Sequence, residues 1–209
     1  MPPTLRSAGV SLALFLLLCA SWETAAAEVV EKRTVSYFDI RGNTADELDA
    51  ALNARGPTVM GASSHHPAAT RIRFGGQATY LESEGLCRIG SVKVTVETQI
   101  ILPRWRDRKH AQARLSEVWN MLAADIERHE AHHAEIARDH ARQMEKAILA
   151  LPPQPSCDQL QIKVDRESQL AIERHDAAQA RFDAEEAANF QDRIERLAGN
   201  RLRPQTTKK

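Results

Sequence analysis

The sequence predicts an α+β fold in which a small antiparallel sheet packs against a long α-helical hairpin. Three observations predict it. Residues 70–102 hold two stretches of alternating apolar residues, separated by the turn-like Glu82-Ser83-Glu84-Gly85. Residues 104–151 contain neither glycine nor proline, and nor do residues 156–198. Between those two runs, Pro152, Pro153 and Pro155 forbid a continuous helix.

The chain opens on Arg6, an apolar run from Ala8 to Ala20, and then Ala25-Ala26-Ala27. The run falls short of the roughly 20 residues that a membrane helix needs. Residues 1–27 therefore read as a signal peptide cleaved before Glu28, leaving no membrane anchor. The expected location is outside the cytoplasm, periplasmic or extracellular. Residues 28–199 are expected to form a single domain, with 28–103 as its sheet-containing part and 104–199 as its helical hairpin. The polar, basic residues 200–209 are expected to be a disordered tail.

Val35–Ile40 reads as a strand ended by Gly42. Asn43 or Thr44 caps a short helix over Ala45–Ala54, whose apolar face carries Leu48 and Leu52, and Gly56-Pro57 stops it. Residues 58–69 form a loop, in which His65-His66 reads as solvated, with a role at a metal as the alternative. Thr70–Leu81 and Ile89–Leu102 make a β-hairpin that the first strand completes into a sheet, and Pro103 ends the second of them. One long helix, or two nearly continuous ones, is expected from about Asp107 to Ala150. The helix of the second run is capped by Ser156 or Asp158 and stopped by Gly199, with Leu160, Val164, Ala171, His175, Ala178 and Phe182 along its buried stripe.

Composition bounds the partners. With 28 basic and 28 acidic residues the formal charge is zero, which gives no footing for nucleic acid or an anionic membrane surface. Once the leader is removed, Cys87 and Cys157 remain. In an oxidising compartment such a pair is most simply a disulfide. The alternative, metal ligation, lacks any Cys-x-x-Cys spacing.

The chemistry centres on His129-Glu130-Ala131-His132-His133, a His-Glu-x-x-His pattern inside the first long helix. Two imidazoles four residues apart lie one turn apart on one face and can reach a single ion. Glu130 then stands where a general base can take a proton from water. This is the pattern of a zincin-like active-site helix holding one zinc ion. Leu122, Ile126, His133, Ile136 and His140 share the face of His129. His140 lies seven residues past His133, about 10 Å along a straight helix, too far to bind the same ion. A third ligand is better sought on the second helix. If the hairpin turns near residue 154, residues 175–179 face the motif, which singles out His175, with Glu173 and Asp183 within a turn or two.

The chain resembles a bacterial family described as predicted secreted zinc-dependent proteases, a domain of otherwise unknown function. The resemblance rests on Tyr37-Phe38-Asp39-Ile40-Arg41-Gly42-Asn43 with Glu47-Leu48, and on Cys87 before a strand ending in Ile101-Leu102-Pro103-Arg104-Trp105. It also rests on the His129–His133 motif and on Leu151-Pro152-Pro153 running into Ser156-Cys157. It implies His129 and His133 as ligands, Glu130 as general base, a Cys87–Cys157 pair, and a peptide or protein substrate. Members often carry a Tyr-Asp pair followed by Thr-x-His-Gly late in the second helix. Here Phe182-Asp183 is followed by Glu186 and by Ala188-Asn189. The resemblance thus adds Asp183 beside His175 as a third ligand. The expected function is a secreted or periplasmic zinc metallopeptidase. The alternative is a non-catalytic envelope interaction protein or structural metal-binding protein, which the missing His-Gly favours.

Overall fold

The structure is a computed structural model that describes residues 26–58 and 65–202, with side chains left aside at 26, 191, 194, 195 and 197–202. The expected signal peptide up to residue 25, loop residues 59–64 and the end of the tail fall outside that description. Among the described residues no helix is long and apolar enough to cross a membrane.

Three strands, β1 (Ala26–Ile40), β2 (Ala69–Ser83) and β3 (Leu86–Trp105), form one sheet in the order β1-β3-β2. The β2–β3 hairpin is the expected one. Its two-residue turn puts Glu84 and Gly85 at φ of 52° and 74°, the left-handed pair that matches the twist of the flanking strands. Two expectations are corrected. β1 is 15 residues long and runs parallel to β3, so the sheet is mixed rather than antiparallel. The connection through α1 (Ala45–Arg55) returns the chain to the end of the sheet that β1 has just left. β2 therefore starts there, opposite Ile101, and runs antiparallel to β3, the strand it pairs with. Pro103 also fails to end β3, which continues to Trp105 paired with Ile40. Pairing with β2 stops at Ile101, so the side that Pro103 faces is already open and its missing N–H costs no ladder bond.

The cap of α1 is a variant of the capping box in which the carboxylate reaches one residue beyond the N-cap Thr44. The Thr44 hydroxyl accepts from the Glu47 N–H at 3.2 Å, and the Glu47 carboxylate accepts from the Asn43 N–H at 2.6 Å. After a short 3-10 turn at Arg108–His110, α2 (Ala113–Leu149) runs for 37 residues, and α3 (Cys157–Leu202) for 46. Ser156 starts α3, its hydroxyl accepting from the Gln159 N–H at 3.3 Å. Gly199 does not end it, since a helix tolerates an isolated glycine at a modest cost.

The main core lies between the sheet and the hairpin. Val92, Val94 and Val96 of β3 meet Ala137, Ala141, Met144 and Ile148 of α2 and Leu160, Val164 and Ala171 of α3. Small alanines line the part of α2 that crosses the sheet, which lets the helix approach closely. Val118, near the start of α2, lies outside this core and is exposed. A second cluster, Ile40, Leu48, Leu52, Trp105 and Trp119, ties α1 and the start of α2 to the sheet. The Trp105 indole donates to the Gly42 carbonyl at 3.0 Å. Cys87 and Cys157 form a disulfide, with Cα atoms 5.1 Å apart, that clips the base of α3 to β3.

Candidate metal centre

His129 and His133 share one face of α2, a turn apart, and Glu130 is turned about 100° from His129. His129 and His133 are half-buried, while Glu130 is turned inward and only 6% exposed. From α3, Asp183 extends its carboxylate between the two imidazoles. The His129 Nε2–His133 Nε2 separation is 3.0 Å, and Asp183 Oδ1 lies 3.4 Å from the first nitrogen and 3.0 Å from the second. A tetrahedral ion with bonds of 2.0–2.1 Å has edges of about 3.3 Å between ligand atoms. The triangle therefore has the dimensions of one face of such a site, and this group can hold a metal ion.

The surrounding hydrogen bonds fix which atoms point inward. The Gln179 amide donates to the His133 carbonyl at 3.1 Å, so its oxygen is the group that meets His133 Nδ1. That nitrogen must carry the proton, leaving Nε2 with a bare lone pair. The other Gln179 N–H donates to His175 Nε2 at 2.8 Å, and His175 Nδ1–H donates to Asp176 at 2.9 Å. On the other flank, His129 Nδ1 faces the Glu186 carboxylate at 3.6 Å. Burial works against ionisation of Glu186, but the hydrogen bond and charge of Arg128, with the charge of Arg193, outweigh it and hold its carboxyl below the ordinary value. An anion there places the His129 proton on Nδ1 as well. With both protons on Nδ1, three lone-pair atoms converge, an arrangement that a bound cation would relieve.

Arg193 is anchored in turn. Its Nε and Nη2 donate to the two oxygens of buried Asp125 at 2.8 and 3.2 Å, and Nη1 lies 3.1 Å from Glu186. Burial lowers the pKa of His129, with the charge of His133 acting the same way, so the ring is held neutral and ready to ligate. Phe182 covers the rings, 4.9 Å from His129 and 5.0 Å from His133.

Glu130 points away from α3 toward β2. Its carboxylate and its own carbonyl accept from the Thr70 hydroxyl at 2.8 and 2.9 Å. Burial raises its pKa above the ordinary carboxylate value, against the opposing effects of Thr70 and His133. Two adjoining clefts of about 240 and 470 Å³ open onto Glu130, His129 and Asp183, with His66 and Ala68 in both walls.

Of the candidate ligands, the structure brings together His129, His133 and Asp183. His175 is buried one step behind them, joined to His133 through Gln179 and packed at 4.9 Å on Phe74. The reason is register. His133 stands opposite Gln179 rather than His175, because residues 150–156 carry the chain on past the end of α2, where Gln154 pairs with Cys87, before α3 begins. His140 lies beside His175, ring centroids 5.7 Å apart, and away from the centre. His65 is exposed and His66 lines the clefts. Sequence reasoning missed Gln179, Glu186 and Thr70. Gln179 falls midway between His175 and Asp183 at spacings of four, so the helical period applied from Asp183 would have found it.

Fold and site together define a class: an α+β protein whose helical hairpin builds a two-histidine, one-carboxylate centre beside a buried glutamate. The chain belongs to a family of bacterial proteins of unknown function, whose model, described as "Bacterial protein of unknown function (DUF922)", matches residues 35–191. That span holds the whole centre and both cysteines. Comparison with curated proteins and with solved structures finds no match.

Proposed function

We propose that this protein is an exported zinc-dependent peptidase. The observation that supports it is the convergence of three ligand atoms, from His129, His133 and Asp183, beside a buried carboxylate that opens on a cleft. Two imidazoles and a carboxylate at tetrahedral spacing suit zinc and leave a fourth position open. Zinc bound there supplies Lewis acidity toward a peptide carbonyl and toward water. Glu130 does the proton work. Its raised pKa brings it nearer neutrality, where a general base is most effective. It takes the proton from the water that adds to the carbonyl carbon. It then delivers that proton to the nitrogen as the C–N bond breaks, giving a carboxylate and an amine. Thr70 holds the carboxyl in place, while Gln179 and Glu186 hold the two imidazoles. Export accords with the disulfide and with the apolar leader in the sequence.

The test is metal content and hydrolysis measured together on the oxidised, mature protein. About one zinc per chain is expected, lost in His133→Ala. Zinc-loaded wild type is expected to cleave unfolded casein, and zinc-loaded Glu130→Gln is not. Full activity in Glu130→Gln would sink the mechanism. Zinc bound without hydrolysis of any unfolded protein would leave a structural metal site.

A further inference from the structure

Among the described residues β3 has both of its edges occupied, while β1 and β2 each leave one edge open, and β2 is the one that borders the cleft with Glu130. The backbone groups on its open side can be assigned. The Arg106 N–H donates to the Ile40 carbonyl, so even-numbered residues of β3 address β1 and odd-numbered ones address β2. Gly75 pairs with Thr95 and Gln77 with Lys93, which commits the odd-numbered residues of β2 to β3. Ile72, Phe74, Gly76 and Ala78 therefore turn their N–H and C=O groups to the free edge.

The same residues direct their side chains toward the helices, and there the layer is incompletely filled. A groove of about 400 Å³ opens between this edge and the hairpin, walled by Phe74, Ala78, Met144, Val164, Ser168 and Ile172. Gly76 is part of the cause. A Cβ there would lie 2.6 Å from the Lys93 carbonyl oxygen, so no side chain can fill the gap. Tyr80 closes the far end by donating to Gln161 at 2.6 Å. At the near end, Thr70 and Ile72 line the cleft that holds His129 and Glu130. One uninterrupted edge thus runs from the candidate centre to the apolar groove. Thr70 to Gly76 spans about 20 Å at strand rise.

We propose that the free edge of β2 pairs with an extended peptide that inserts an apolar side chain into the groove between β2 and α3, some 20 Å from Glu130. This rests on the peptidase reading, for which it names the substrate class. Unfolded chains with an apolar residue about six positions from the cleaved bond are preferred over short peptides, which cannot span both places.

The test separates docking from catalysis by using metal-free protein. Fluorescein-labelled β-casein, an unfolded probe, is titrated with the full oxidised chain in EDTA and followed by anisotropy. Saturable binding is expected for wild type and equally for Glu130→Gln, and at least tenfold weaker binding for Ser168→Trp, which fills the groove. Hydrogen exchange on wild type supplies a second reading that needs no variant: casein should slow exchange at Phe74, Gly76 and Ala78 and leave β1 unchanged. Absence of binding, absence of that protection, or unaltered binding by a folded Ser168→Trp overturns the proposal. A dimer that already protects those amides without casein also overturns it, because a second copy then occupies the edge. If zinc-loaded protein fails to cleave casein while this binding persists, the peptidase reading falls and the docking edge stands.

Discussion

Asp183→Ala separates a metal ligand from a merely nearby carboxylate. The Asp183 side chain is 56% exposed, so truncating it costs the apo fold no more than about 0.5 kcal/mol, or about 1–2 °C for a domain of this size. Zinc at 100 times its dissociation constant adds about 2.7 kcal/mol to wild-type stability, a rise in Tm of about 5–11 °C. If losing one of three ligands weakens binding about a hundredfold, the same zinc concentration adds only about 0.4 kcal/mol, and the rise shrinks to about 1–2 °C. The assay is a thermal melt of each protein with EDTA and with buffered zinc. His175→Ala is the control. It removes a buried ring packed on Phe74 and costs the apo protein about 1–3 kcal/mol, but should retain most of the zinc shift. A full zinc shift in Asp183→Ala, with its loss in His175→Ala, would refute the assignment and make His175 the ligand.

Other outcomes follow from the same geometry. Gln179→Leu frees the His133 ring to adopt the wrong tautomer and should weaken zinc binding about 10–100-fold, read by competition with a chromophoric chelator; unchanged affinity would show that Gln179 does not orient the ligand. For Glu130, burial raises the folded pKa above the unfolded one, so the stability carried by the protonated form is present below the unfolded value and lost as pH rises through the folded value. Metal-free Glu130→Gln should therefore be more stable than wild type under mildly alkaline conditions, with the gap closing as acid protonates the wild-type carboxyl; urea melts across pH check this, and a gap that widens in acid contradicts it. Reducing the Cys87–Cys157 bond, which joins residues 70 apart in sequence, should cost about 4 kcal/mol of loop-closure stabilisation, measured by urea unfolding with and without dithiothreitol.

Much of the fold is carried by local signals. The alternation of Val92, Val94, Val96, Thr98 and Ile100 marks β3, and all five are buried. The prolines after Leu151 mark the hairpin bend, and Thr44 with Glu47 marks the start of α1. What escaped depends on non-local pairing. Glu31, Lys32 and Arg33 are three charges in succession with no apolar alternation, yet this part of β1 is a sheet edge, where solvated charge is tolerated and Lys32 reaches Glu97 at 2.8 Å. The direction of β1 is likewise absent from its own sequence, being set by where α1 returns the chain.

The site divides along the same line. His129, Glu130 and His133 are legible because one helical turn defines their geometry by itself. Their partners on α3 are not, because a hairpin's register depends on how its bend is built, and a shift of one turn exchanges His175 for Gln179 opposite His133. The disulfide has a consequence here. By holding Cys157 beside Cys87, it fixes where α3 begins and hence which residue reaches the imidazoles. Asp183 lies 26 residues along a helix whose early part packs on α2 through Leu160, Val164 and Ala171, and the Asp125–Arg193–Glu186 cluster pins the register beyond it. The metal geometry is thus held from both ends of α3. Reduction of the disulfide should loosen the zinc site even in molecules that remain folded. A reduced, folded protein with unaltered zinc affinity would show that the cluster alone sets the register.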